Sequence, residues 1–250
     1  NYSPGVYYEY AGVNSSVCFI NSNSGWATQR NNVILKTSNG GFNWTTLSTG
    51  TNYSFYSVFF VNELTGWITG KKSSPTNGVI LKTVNGGNNW ITQTTSLSTY
   101  PRSLYMVNEN TGWMVLDIDT MLYTSNGGTN WLRKSTGIGQ LLHDVYFINS
   151  STGWILGSGN SGYIIKTTNA GENWNTYTFS NPGNCISLYF IDSNTGWVTG
   201  RYGFITRTTN GGLNWILQRP YSGGSPYNDL SQIKFKNNNT GWAAGYDGRI

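Results

Sequence analysis

Few residues in this 250-residue chain carry reactive chemistry: 10 acids, 15 bases, one histidine and two cysteines. Asp117 and Asp119 lie two apart, and paired carboxylates are the tools of glycoside acid–base hydrolysis. The two lie in a tight loop of one unit, which argues against one shared site. A working pair would therefore combine acids from different segments, such as Asp117 with Asp229 or Asp247. His143 beside Asp144 offers two members of a nucleophilic triad, but no Gly-x-Ser-x-Gly nucleophile motif accompanies them. Cys18 and Cys185 lack metal-site spacing, and a lone histidine builds no imidazole cluster. The expectation is no metal, no cofactor and no catalytic residue.

The net charge is +5 and the isoelectric point about 9.1, yet Lys71-Lys72 and Arg133-Lys134 are the only adjacent basic pairs. Nucleic-acid binding demands a denser footprint, so the charge points to mild attraction for an acidic partner. Aromatics reach 15% against 10% charged residues, which excludes a disordered chain. No apolar run is long enough for a membrane-spanning helix. The chain begins at Asn1 without an apolar leader, so a signal peptide is expected to be absent or already removed. The polar, uncharged composition resembles secreted bacterial proteins, which sets the expected location at or beyond the cell surface.

Internal repeats dominate the rest. Asn-x-x-Thr-Gly-Trp, or a close variant, occurs six times, at 21–26, 62–67, 108–113, 149–154, 192–197 and 237–242. Thr-x-Asn-Gly-Gly-x-Asn-Trp occurs five times, at 37–44, 83–90, 124–131, 167–174 and 208–215, with Ala170 replacing the first Gly once. Together the two motifs account for all 11 Trp. Each first motif follows a strand-like run such as Val58-Phe59-Phe60-Val61 or Leu188-Tyr189-Phe190-Ile191, and each second motif follows another such as Val33-Ile34-Leu35-Lys36. One unit therefore reads as four strands: A is the Val-x-Phe run, B starts at Gly-Trp, C precedes the second motif, and D begins at the second Trp.

A repeat of this length and content predicts an all-β fold, a β-propeller of four-stranded antiparallel blades. Blades are expected at about 15–50, 56–97, 103–136, 143–180, 186–220 and 231–250 within a single domain, 1–250. That makes five complete blades and a sixth that stops in strand C, with 5–10 as a candidate closing strand and seven blades as the alternative in a longer parent. The second Gly of the C–D motif is never replaced, which predicts a positive φ there. Each Trp buries roughly 150–250 Å², about 4–6 kcal/mol as an upper bound, and so reads as an interblade wedge. Lys36, Lys82, Lys166 and Arg207 recur at one strand-C slot, with Tyr123 in blade three, and are expected to pack their stems on neighbours. Cys18 and Cys185 fall in blades too far apart to bridge and are expected to be free and buried.

The second motif resembles the Asp-box (BNR) signature, with Asn in the Asp slot at 39, 85, 126, 169 and 210. The whole unit, over about 15–250, is similar to the repeat of photosystem II stability and assembly-factor propellers. That resemblance implies the propeller fold and a box that is a structural turn, so the missing Asp removes no catalyst. Similar repeats in sialidases and xyloglucan-type glycosidases keep a glycoside hydrolase as the runner-up function. A sialidase would need several Arg on a substrate carboxylate, which Arg102, Arg201 and Arg219 could supply, but its Arg-Ile-Pro motif is absent.

Spacing between Trp residues locates the variable segments. From each second-motif Trp to the next Gly-Trp four separations are 23 and the last, 215 to 242, is 27. Within blades three separations are 18, with 23 in blade two and 20 in blade four. The insertions fall at 71–77, 158–161 and 219–228, all on the face that carries the B–C and D–A loops. A repeat protein diversifies its binding face, so the candidate binding residues are Lys71, Lys72, Tyr100, Arg102, Arg201, Tyr202, Arg219, Tyr221 and Tyr227. The expected role is non-catalytic binding of a protein or glycan with acidic character. A scaffold subunit of a larger extracellular assembly is the third reading.

Overall fold

A computed structural model describes residues 16–29, 32–72, 77–93, 97–158, 162–179, 185–219 and 229–245. Blade one comprises β1 (Val17–Phe19), β2 (Gly25–Gln29), β3 (Val33–Thr37) and β4 (Thr45–Leu47). Blade two comprises β5 (Tyr53–Phe60), β6 (Gly66–Lys72), β7 (Gly78–Thr83) and β8 (Ile91–Thr92). Blade three comprises β9 (Ser103–Met106), β10 (Gly112–Val115), β11 (Thr120–Thr124) and β12 (Leu132–Ser135). Blade four comprises β13 (Leu141–Phe147), β14 (Gly153–Ser158), β15 (Gly162–Thr167) and β16 (Asn175–Phe179). Blade five comprises β17 (Cys185–Phe190), β18 (Gly196–Gly200), β19 (Ile205–Thr208) and β20 (Ile216–Arg219). A last sheet pairs only β21 (Leu230–Asn237) with β22 (Thr240–Gly245). Every sheet is an antiparallel meander in chain order.

The expected six blades are thereby corrected to five, plus a two-stranded sheet. Within the described residues the sixth Gly-Trp turn joins β21 to β22, and only five boxes turn a strand C into a strand D. The proposed closing strand at 5–10 and the strand C at 246–250 lie outside the described residues.

Both repeated motifs fold as local hydrogen-bonded turns. In the A–B turn the first side chain accepts two backbone N–H bonds, as Asn62 does from Leu64 and Thr65 at 2.9 and 2.7 Å. Asn21, Asn108, Asn149, Asp192 and Asn237 repeat this pattern. In the C–D turn Thr37 Oγ1 accepts from Gly41 N and donates to Asn39 Oδ1, which also accepts from Asn43 N. Asn thus does the acceptor work of Asp without its charge. Both glycine slots have positive φ, 67–73° at the first where Gly stands and 84–103° at the second.

The core lies between blades rather than within them. Trp26, Trp67, Trp113 and Trp154 are fully buried, and each indole donates to the first-slot carbonyl of the next blade: Gly86, Gly127, Ala170 and Gly211, at 3.0–3.1 Å. Three of these indoles, and Trp197 of blade five, stack on the Phe that follows in the next sheet: Trp26 on Phe60, Trp113 on Phe147, Trp154 on Phe190 and Trp197 on Phe235, with centroids 3.5–3.7 Å apart. Trp67 meets Met106 in the same place and shares its cluster. The wedge reading holds for these. The Trp residues before strand D differ: Trp90 and Trp174 are half-buried and meet Phe60 and Phe147 edge-on. At the two ends of the series Phe19 and Trp242 stay 39% and 54% exposed.

Candidate functional site

The inner strands carry one irregularity that the repeat does not announce. Pairing slips by one residue between Phe55 and Ser57, Leu142 and Asp144, Cys185 and Ser187, and Leu230 and Gln232. Each slip is a β-bulge, and it inserts Tyr56, His143, Ile186 and Ser231. Arg102 takes the same place before β9, its N–H bonding to Val115 O at 2.9 Å opposite Ser103. One slot of the repeat thus places Tyr56, Arg102 and His143 of three consecutive blades at the start of the inner strands that line a central channel, the end that carries the B–C and D–A loops and forms the channel mouth.

Around that slot several of the expected binding residues meet. The Tyr56 and Tyr100 rings contact at 6.0 Å, and the Lys71 ammonium lies 5.0 Å above Tyr100. Arg102 pairs with Asp117 at 3.2 Å, with both side chains about two-fifths exposed. The His143 imidazole is held down to about 4, first by desolvation and then by the charges of Arg102 and Arg201. Charges from blades three and five thus both act on the imidazole of the blade-four bulge. Sequence reasoning set His143 aside and did not name Tyr56. The signal was present: the position two before the Val, Leu or Ile of strand A holds a different residue in each unit from blade two onward, Tyr56, Arg102, His143, Ile186 and Ser231.

Other expected residues stand apart. Lys72 lies over Tyr53 of its own blade at 5.6 Å, because adjacent strand residues point to opposite faces. Tyr202 has φ 62° in a one-turn 3-10 segment (Arg201–Gly203), with its N–H bonded to Asp229 at 2.8 Å. Arg219 ends β20, the outermost strand of its blade, and is exposed. Tyr221 and Tyr227 lie outside the described residues.

Among the described residues the candidate carboxylates do not assemble into an acid–base pair. Asp119 accepts from Ser135 Oγ, Thr136 Oγ1 and Ile138 N, closing the loop of blade three. Burial would raise its carboxyl, but these bonds outweigh it and hold it down to about 2. Asp229 is buried against the Tyr202 turn, Asp117 is paired, and Asp247 lies outside the described residues. Asp144 takes the slot that is Ser in blades two, three and five, and accepts from Ser103 Oγ at 2.6 Å and from Val145 N and Leu188 N at 3.0 Å. Desolvation pushes its carboxyl up against these bonds. Cys18 and Cys185 are both buried and no disulfide joins them, as expected.

The recurrent basic residues of strand C are structural. Lys36, Lys82, Lys166 and Arg207 lie 5.1–5.4 Å over Trp26, Trp67, Trp154 and Trp197. The Lys166 head is bonded as well, donating to Ser193 O of the next blade at 3.2 Å.

With the repeat geometry in hand, comparison with known proteins is decisive for the family. The family model described as photosynthesis system II assembly factor YCF48 matches residues 8–137 and 135–228. The chain belongs to the YCF48 family. No curated protein matches it. Among solved structures, a YCF48 bound to D1 peptide is 20% identical with a TM-score of 0.57, covering 93% of this chain and 90% of that one. YCF48 from Cyanidioschyzon merolae is 18% identical with a TM-score of 0.55, covering 93% and 92%. A GH74 xyloglucanase from Xanthomonas campestris is 10% identical with a TM-score of 0.69, covering 94% of this chain but 44% of that one. These likenesses show the propeller fold that the YCF48 family shares with other propellers.

Proposed function

We propose that the protein is a non-catalytic binding propeller that holds an extended, acidic segment of a partner protein across the channel mouth. The observation that carries this reading is the bulge slot shared by Tyr56, Arg102 and His143, continued by Tyr100 and Lys71 and joined by the charge of Arg201 acting on His143. Aromatic rings beside guanidinium groups are the composition of contact hot spots. A grip of this kind needs no nucleophile or acid–base pair, and each described acid near it already has a bonding partner. A protein partner is favoured over a glycan because a family relative was solved bound to a peptide. Placement at the cell surface belongs to the same proposal and is checked by cell fractionation.

The test is a peptide array of acidic, aromatic-containing segments probed with the wild type and with the double variant Arg102→Gln/Arg201→Gln. The reading expects acidic spots to lose most of their signal in the double variant. Acidic spots that survive unchanged, or a preference for basic peptides, would sink it.

A further inference from the structure

Below its mouth the channel is a separate site. It encloses about 480 Å³ between the inner strands of all five blades and of the two-stranded sheet. That volume is in the range of small-molecule pockets, roughly 300–1,000 Å³. One slot of strand A runs around it: Phe59, Tyr105, Tyr146 and Tyr189 in blades two to five, with Cys18 and Lys234 completing the set.

The four aromatic rings form an arc, with consecutive centroids 4.7–5.0 Å apart and planes tilted 53–60°. Tilted rings leave edges and faces open to a further ring. Burial raises the Tyr146 phenol, with Tyr105 and Tyr189 adding to the shift, so it stays a neutral hydrogen-bonding group. Lys234 is exposed, and among the described residues no carboxylate lies within ion-pair distance of it. Its charge reaches the Cys18 thiol across the two ends of the arc. The one acid in the wall, Asp144, is already engaged by Ser103, Val145 and Leu188. The channel therefore offers an aromatic arc, neutral hydroxyl groups and one uncompensated ammonium. It complements an anion carried on a flat apolar body.

We infer that the channel binds a small aryl carboxylate, with the carboxylate on Lys234 and the ring against the arc of Tyr146 and Tyr189. This site is independent of peptide binding at the mouth.

The probe is 4-hydroxyphenylacetate, titrated into the full chain by calorimetry and by ligand-observed NMR at millimolar concentration. One saturable site is expected. Lys234→Gln weakens it by roughly tenfold, the loss of one ion pair. The neutral analogue 4-hydroxyphenylethanol binds weaker by a similar factor. Arg102→Gln leaves the affinity unchanged. Thermal melts confirm that Lys234→Gln, a change at an exposed residue, still folds. Tyr146→Phe provides a second variant with a smaller loss. Absence of saturable binding overturns the inference. So does binding that Lys234→Gln leaves intact or that Arg102→Gln removes, and the latter would place the ligand at the mouth.

Discussion

The indole of Trp113 donates to the carbonyl of Ala170 at 3.0 Å, and Ala170 holds that carbonyl in place with a φ of 60°. Elsewhere the same slot is Gly, and at Gly86, Gly127 and Gly211 a Cβ would lie 2.5–2.9 Å from the ammonium of Lys36, Lys82 or Lys166 in the preceding blade, and 2.6–2.8 Å from a backbone carbonyl oxygen. Ahead of Ala170 the corresponding residue is Tyr123, which packs in the same cluster as Ala170. The lone Ala in the box and the lone Tyr in strand C are one exception, seen from two blades.

Ala170→Gly is expected to stabilise the fold by about 1 kcal/mol through relief of the left-handed backbone. Gly127→Ala should cost more than about 1 kcal/mol, because it adds that strain and a clash with Lys82. Urea denaturation of the two variants measures both signs.

Replacing Trp154 by Phe removes the bond to Gly211 and leaves space beside Phe190. A loss of about 2–4 kcal/mol is expected. Trp242→Phe, at the exposed end of the series, should stay within about 0.5 kcal/mol of wild type. Equal losses would mean that burial between blades does not govern the Trp contribution.

Asn39→Asp should be close to neutral, since a carboxylate accepts the same bonds from Thr37 Oγ1 and Asn43 N. Asn39→Ala leaves both donors without their acceptor and is expected to cost about 1–2 kcal/mol. Thermal melts at neutral pH separate the two.

Acid should weaken the fold in two windows with different origins. His143 titrates at about 4 when folded against 6.5 ordinarily, so the unfolded chain binds its proton first. Stability is complete above 6.5 and falls as pH drops from 6.5 through 4. Asp119 titrates at about 2 against 3.8, so its contribution is present above 3.8 and is lost as pH falls through 2. His143→Gln should flatten the first slope and Asp119→Asn the second, read from melting temperature against pH.

The blades, strand order and both turns were legible because each repeats, and repetition separates architecture from accident. Gly66, Gly112 and Gly153 open strands where the Gly-Trp motif said they would. Strand D begins one residue after its Trp, at Thr45, Ile91, Leu132, Asn175 and Ile216, a shift too small for the pattern to show. The site was half legible. Lys71, Tyr100, Arg102 and Arg201 stood out as irregular charges and aromatics. The bulge that gathers them was hidden, because an inserted residue leaves the alternation of Val58 and Phe60 untouched. The Tyr105–Tyr146–Tyr189 arc was hidden for another reason. Apolar residues at both alternate positions read as burial between blades, whereas one of the two borders the channel.

The bonds from Trp26, Trp67, Trp113 and Trp154 to the following blade give the molecule a direction. A lesion in the Gly86 turn strikes first at Trp26, sixty residues before it, and one at Gly211 strikes at Trp154. Damage should therefore travel towards the N-terminus, each blade failing through its successor. During synthesis a blade would likewise stay unlatched until the next box has emerged.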